Sequence, residues 1–193
     1  IKLEPSLEQY SKEFYALNPL EATQAGVNDY NNQLEITISE TYIKKAKALN
    51  QKYLTQLVVI NKAGLTASEL LSIDVLTYKL KSENERLNNS LGFYRPVDQF
   101  VFSFPTRFAT LGSGAGFVPF NTEKDYRNFI SRMKGFQLWV DQAIANMRKG
   151  VVQNNTNPKA AMEKVPPQLK PLFEGATEEN VFYKPLLKLP NGL

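Results

Sequence analysis

Gly112, Gly114 and Gly116, on alternate positions in TLGSGAGFVPF, are the residues of this chain whose spacing first suggests chemistry. Glycine-rich turns cradle phosphates when their backbone N–H groups converge at a helix N-terminus. A P-loop needs a second glycine five residues after the first, followed by Lys and then Ser or Thr, and counting from Gly112 that place is held by Phe117. A dinucleotide fingerprint needs its third glycine at the same place and a helix that begins inside the motif. Here Pro119 and the capping residue Thr122 put the next helix start later. The phosphate reading therefore fails on spacing, and two readings stay open: a flexible surface turn, or a loop that lines a cleft with other structure.

Other routes to catalysis are narrow. The chain has no His and no Cys, which removes Ser-His-Asp and Cys-His constellations, HExxH zinc sites and thiolate metal sites. Carboxylate pairs do not replace them: Asp125 stands in the first turn of a helix as a capping group, and Glu83 and Glu85 fall on different sides of a helix. No catalytic residue and no metal ligand is assigned. Asp98, Gln99 and Arg107 flank an aromatic segment and have the groups to hydrogen-bond a ligand. A salt bridge between Asp98 and Arg107 that pins the loop is the plainer account. Together with Gly112, Gly114 and Gly116 they form the candidate substrate-binding set. The net charge of +4 invites a nucleic-acid reading. The basic run Lys44, Lys45, Lys47 and Lys52 lies opposite an apolar helix face, so it reads as solvated surface and no nucleic-acid partner is expected.

The elements that must position these residues are helices. Leu7, Tyr10, Phe14 and Leu17 recur at helical spacing, and Asn18, Pro19 and Gly26 bracket a short second helix. From Ser39, the residues Tyr42, Ala46, Leu49, Tyr53, Leu57 and Ile60 share one face up to Gly64. Thr66 and Glu69 then have capping-box spacing, and the short link AGL predicts an antiparallel hairpin between the two helices. Thr122 opens the longest helix. Its stripe is read from two seven-residue repeats, Tyr126, Met133, Val140, Met147 and Phe129, Phe136, Ala143, with Trp139 off the centre and covering an edge. Residues 93–120 show no helix period, and Phe100, Phe102 and Phe104 alternate as in a short extended segment. The glycines there are expected to serve close backbone approach and mobility. The expected fold is all-α: an antiparallel helical bundle, one domain over residues 1–193, with an irregular aromatic and glycine-rich insert at 93–120. Residues 169–193 are expected to form an extended tail toward a missing element. No run of apolar residues reaches the roughly 18 that a membrane helix needs, so no transmembrane segment is expected. The chain opens on IKLEPSLEQY, without Met or a basic-then-apolar leader, as after removal of a targeting segment or inside a longer gene.

Four blocks in order, LNPLEATQAGVNDYNNQL, LTASELLSIDVLTYKL, PFNTEKDYRNFISRMKGFQLWVDQAIANMRKGV and NPKAAMEKVPPQL, followed by FYKPL, resemble the N-terminal half of a large bacterial family catalogued as domain of unknown function 885. Members of that family resemble helical zinc metallopeptidases whose HExxH-type motif lies downstream of the matched region. The resemblance implies that this chain is a non-catalytic N-terminal part, with no cofactor of its own and zinc in a missing C-terminal half. Its expected partners are its own C-terminal catalytic-type domain and a peptide substrate, with its first helices as one wall of the cleft, in the cell envelope or periplasm. The chain departs from the family after Gly26, where Val27 and Asn28 stand in place of the usual His or other polar residue, which leaves the polar role of that turn open. The competing reading is a stand-alone helical binding or scaffold module that uses its aromatic loop without any chemistry.

Overall fold

The computed structural model describes residues 2–99 and 103–189. The fold is all-α: helices α1 (Leu3–Leu17), α2 (Pro19–Gln24), α3 (Glu40–Val58), α4 (Ala67–Asn88), α5 (Phe104–Gly112), α6 (Glu123–Val152), α7 (Lys159–Met162) and α8 (Val165–Leu169), with short 3-10 turns and no strand among the described residues. No described helix is long and apolar enough to cross a membrane. Contacts divide the chain into two compact units, residues 1–18 with 39–90 and residues 19–38 with 91–193.

In the first unit, local chemistry sets the helix starts. The Ser39 hydroxyl accepts the Tyr42 N–H at 3.1 Å to begin α3. At α4, Thr66 Oγ1 accepts the Glu69 N–H at 3.3 Å while the Glu69 carboxylate accepts the Thr66 N–H at 2.8 Å, so two helix-start donors are satisfied reciprocally. The link between α3 and α4 is longer than AGL, because α3 stops at Val58. Beyond it the β-branched run Val58, Val59, Ile60 favours helix poorly, and the Asn61 side chain takes the Ala63 N–H at 3.0 Å in competition with helical bonding. The apolar faces of α1, α3 and α4 meet in one core of Leu3, Tyr10, Tyr53, Leu57, Ile60, Ile73, Leu76 and Leu80.

The second unit is organised by α6, which opens on a second capping box, Thr122 with Asp125. The buried face of α6 differs from the expected stripe. Trp139 lies at its centre, 2% exposed, whereas Met133 is 39% exposed. The buried line follows Phe129, Arg132, Phe136, Trp139, Ala143 and Asn146: the Phe129, Phe136, Ala143 repeat is kept, and the second repeat falls one position before Met133, Val140 and Met147, where the Trp139 ring packs on Phe104 and Phe136 and the Arg132 and Asn146 side chains reach main-chain carbonyls. Within the span read as irregular, Phe104–Gly112 is helical. Pro105 occupies its first turn, and Phe104, Phe108 and Leu111 supply helical spacing. The Phe108 ring stacks on Phe136 at 4.3 Å between centroids, and Phe104 meets Trp139 at 4.8 Å. Phe100 and Phe102, read as extended, lie outside the described residues.

The tail after α8 is not extended. Its prolines break α-helix but fit 3-10 turns, and Val181–Lys188 forms such a turn against α5. Asn180 fixes it, accepting the Phe182 N–H at 3.0 Å and donating to the Leu172 carbonyl at 2.9 Å.

Candidate functional site

The three glycines do three different things. At Gly112, the last residue of α5, a Cβ would strike the Phe182 ring and lie 2.6 Å from Phe129 Cζ, so only glycine lets those rings close over the helix end. Gly114 has φ +75°, the left-handed region open chiefly to glycine. At Gly116 a Cβ would stand 2.9 Å from Leu111 Cδ2. Between them the Ser113 hydroxyl donates to the Thr110 carbonyl at 2.8 Å and accepts the Ala115 N–H at 3.3 Å, which folds the turn back on α5.

This turn forms one side of a cavity of about 660 Å³. Gly114, Gly116, Val118 and Phe120 line it on one side, and Tyr126, Pro185 and Leu187 on the other. The Tyr126 hydroxyl donates to the Pro185 carbonyl at 3.1 Å and holds that second side together. The main chain from Gly116 to Phe120 is non-helical. Among the described residues, the N–H groups of Gly116, Phe117 and Val118 donate no hydrogen bond. A smaller, apolar recess of about 280 Å³ lies beyond Tyr126 and Pro185, lined by Phe129, Ile130, Met133 and Leu186. No carboxylate lines the larger cavity; Lys184 and Asn121 are its polar side chains besides Ser113 and Tyr126. What such a surface offers is main-chain donors and shape. It carries no acid and base pair.

Of the residues singled out in the sequence, the structure brings Gly114 and Gly116 together at this cavity. Gly112 packs beneath it. Asp98, Gln99 and Arg107 do not line it. The Asp98 N–H donates to Ser103 Oγ at 3.4 Å, the Gln99 carbonyl accepts from Gln168 Nε2 at 2.9 Å, and the Arg107 guanidinium meets Glu21 at 3.5 Å on the surface. Among the described residues no three His, Cys, Asp or Glu side chains converge on a metal-sized site.

Sequence reasoning missed Arg132. It is fully buried on α6, one turn from Phe129, and holds segment 19–38 in place. Its Nε donates to the Gln33 carbonyl at 3.0 Å; its Nη2 reaches the Pro19 and Tyr30 carbonyls, both at 3.3 Å, and the Thr23 hydroxyl. Thr23 in turn donates to Asn31 Oδ1 at 2.7 Å, and Asn31 Nδ2 donates to Asn28 Oδ1 at 3.0 Å. Asn28, on the turn whose polar role the sequence left open, thus closes a polar chain that begins at the guanidinium. Burial pushes Arg132 down to about 10, which leaves it charged at neutral pH. The sequence signal was a cation set three residues after Phe129 and four before Phe136, inside an apolar face.

A family model described as bacterial protein of unknown function (DUF885) matches residues 19–192, from the segment held by Arg132 to the turn that closes the cavity. No curated protein and no solved structure matches the chain.

Proposed function

The chain belongs to the bacterial DUF885 family of proteins of unknown function, and from that premise we propose that it is the non-catalytic helical part of a zinc-peptidase-like protein of the cell envelope, forming one wall of a peptide-binding cleft. The observation that carries the reading is the cavity beside the glycine turn, a volume of about 660 Å³ lined by three successive residues whose N–H groups are unpaired. Unpaired main-chain donors beside an apolar recess suit an extended peptide, whose carbonyls supply acceptors and whose side chains fill the recess. Zinc does not fit this chain's own residues. The sequence has no His and no Cys, and no acidic cluster replaces them among the described residues. Its part is binding and shape, and catalysis is assigned to a C-terminal domain of the parent protein. Of the described rings of the aromatic segment, Phe104, Phe108, Phe117 and Phe120 pack into the unit's own clusters, which favours the cleft reading over a scaffold that would dock through exposed rings.

Titration with an unstructured peptide of alternating alanine and leucine, followed by backbone NMR, tests this. The amide resonances of Gly116, Phe117 and Val118 should move downfield and gain protection from exchange. Asn121→Trp, at an exposed position on the cavity rim, should weaken binding without unfolding the chain. Shifts confined to other surfaces, or none at saturating peptide, would remove the proposal.

A further inference from the structure

The first unit carries its own cavity, about 530 Å³ in volume, within the roughly 300–1,000 Å³ of small-molecule sites. Helices α1, α3 and α4 all contribute to it. Buried Tyr10, Ala46 and Leu80 form its floor, and Phe14, Tyr42 and Tyr78 stand in its walls. Most of the wall's polar groups are already matched: the Tyr42 hydroxyl donates to Asn18 Oδ1 at 2.6 Å, and Asn50 Nδ2 donates to Asn84 Oδ1 at 3.0 Å. A ligand entering here meets aromatic faces and need not satisfy a stranded donor.

Three charges line the cavity, and they do not cancel. Arg86 grips Glu83 through two bonds, Nε at 2.9 Å and Nη2 at 2.6 Å, so that pair is internally neutral. Lys79 is left over. Its ammonium lies 4.3 Å from the centroid of the Phe14 ring and 5.8 Å from that of Tyr10, and among the described residues no carboxylate pairs with it. A cation held against two ring faces at an apolar cavity, with no carboxylate of its own, is placed to pair with an incoming anion whose apolar part lies among the rings. A ligand cation would meet Lys79 and find the nearby carboxylate already engaged.

We propose that this cavity binds small aromatic carboxylates, with the ligand ring among Phe14, Tyr42 and Tyr78 and its carboxylate on Lys79. Ring-on-ring contact supplies the apolar part of the affinity, in offset or edge-on arrangements. Charge selects which aromatic compounds bind. The assignment is independent of the peptide cleft in the other unit.

Isothermal titration calorimetry of the intact chain with three matched probes decides it: 1-naphthylacetate, its neutral amide, and 1-naphthylethylammonium. The carboxylate should bind about tenfold or more tightly than either of the others. Lys79→Met should reduce it to the level of the amide while the amide is unchanged, and Lys79→Arg should keep the preference. Val75→Trp, which fills the mouth from an exposed position, should weaken all three. Circular dichroism checks that each variant is folded. Equal affinity for the three probes, tightest binding of the ammonium, a carboxylate preference that survives Lys79→Met, or no binding by the unmodified chain would each overturn the assignment.

Discussion

Burying a guanidinium costs several kcal/mol even after relaxation, and Arg132 meets that cost without a carboxylate among its partners. What it has instead is a set of neutral acceptors, three main-chain carbonyls and one hydroxyl. The Gln33 carbonyl lies on a stretch with no helix or strand to satisfy it, whereas the Tyr30 carbonyl also accepts the Gln33 N–H at 2.9 Å, and each hydrogen bond to a buried charge returns about 1.5–3 kcal/mol. We expect Arg132→Met to destabilise the protein by about 3 kcal/mol or more in urea titration, since it removes every hydrogen bond of a buried charge and strands the Gln33 carbonyl. Arg132→Lys should recover less than half of the loss, because an ammonium lacks the planar fork that spans acceptors on both sides. A change within about 0.5 kcal/mol of the unmodified protein for Arg132→Met would mean that the polar chain is incidental. Gly114 is the second residue with a conformational demand. At φ +75° a β-branched side chain is strained by about 1–2 kcal/mol, so Gly114→Val should lower stability where a purely mobile turn would not register the change.

At the scale of the element, the helix starts are held by neighbours in sequence, and their chemistry titrates. Hydrogen bonds from the Thr66 backbone and then its hydroxyl hold the Glu69 carboxyl below its usual 4.5. A carboxyl depressed on folding adds stability that is present above its unfolded value and lost as pH falls through the folded one. Glu69→Gln removes that titration while keeping an acceptor at the capping position. The melting temperature of the unmodified protein should exceed that of the variant at pH 7, and the gap should close below about pH 4.5; a gap unchanged by acid would count against the capping account. Both capping boxes were legible for the same reason, since each needs residues only three apart. The face of α6 was legible in its Phe129, Phe136, Ala143 repeat but not in its second line, which runs through Arg132, Trp139 and Asn146 because two polar side chains there find main-chain acceptors in segment 19–38, and α5 was hidden because a short helix rich in Phe and Pro looks like an extended segment until Phe136 and Trp139 stack on it. That packing gives a contrast to measure. Phe136→Ala should cost on the order of 3–5 kcal/mol, while Met133→Ala, on the exposed side, should stay within about 0.5 kcal/mol.

For the whole molecule, local reading found one wall of the candidate cavity and missed the other. Gly114 and Gly116 declare themselves by spacing, but Tyr126 and Pro185 reach the cavity only through the fold, from positions no short window joins. The same distance hid the partition of the chain, because segment 19–38 leaves α1 and packs with residues 91–193 before the chain returns to α3. Leu20, Leu34, Ile36 and Ile38 sit in the clusters around α6, and the Asn146 side chain donates to the Ile38 carbonyl at 2.9 Å. Leu34 packs so closely on Gly135 that a Cβ there would stand 2.9 Å from Leu34 Cβ. Metal does not take over this role. With no imidazole or thiolate in the sequence, added zinc should leave the melting temperature unchanged, whereas zinc at a hundredfold its dissociation constant would add about 2.7 kcal/mol. The last prediction follows from the partition. A chain that begins at Leu91 lacks every partner of Arg132 and four apolar side chains of the cores, so it should keep helical circular dichroism, lose near-ultraviolet signal from Trp139 and bind a hydrophobic dye. Adding residues 19–38 as a separate peptide should restore cooperative unfolding, because the acceptors and the apolar groups return together. Cooperative unfolding of the truncated chain alone, with Trp139 in a native environment, would show that segment 19–38 decorates the second unit and does not complete it.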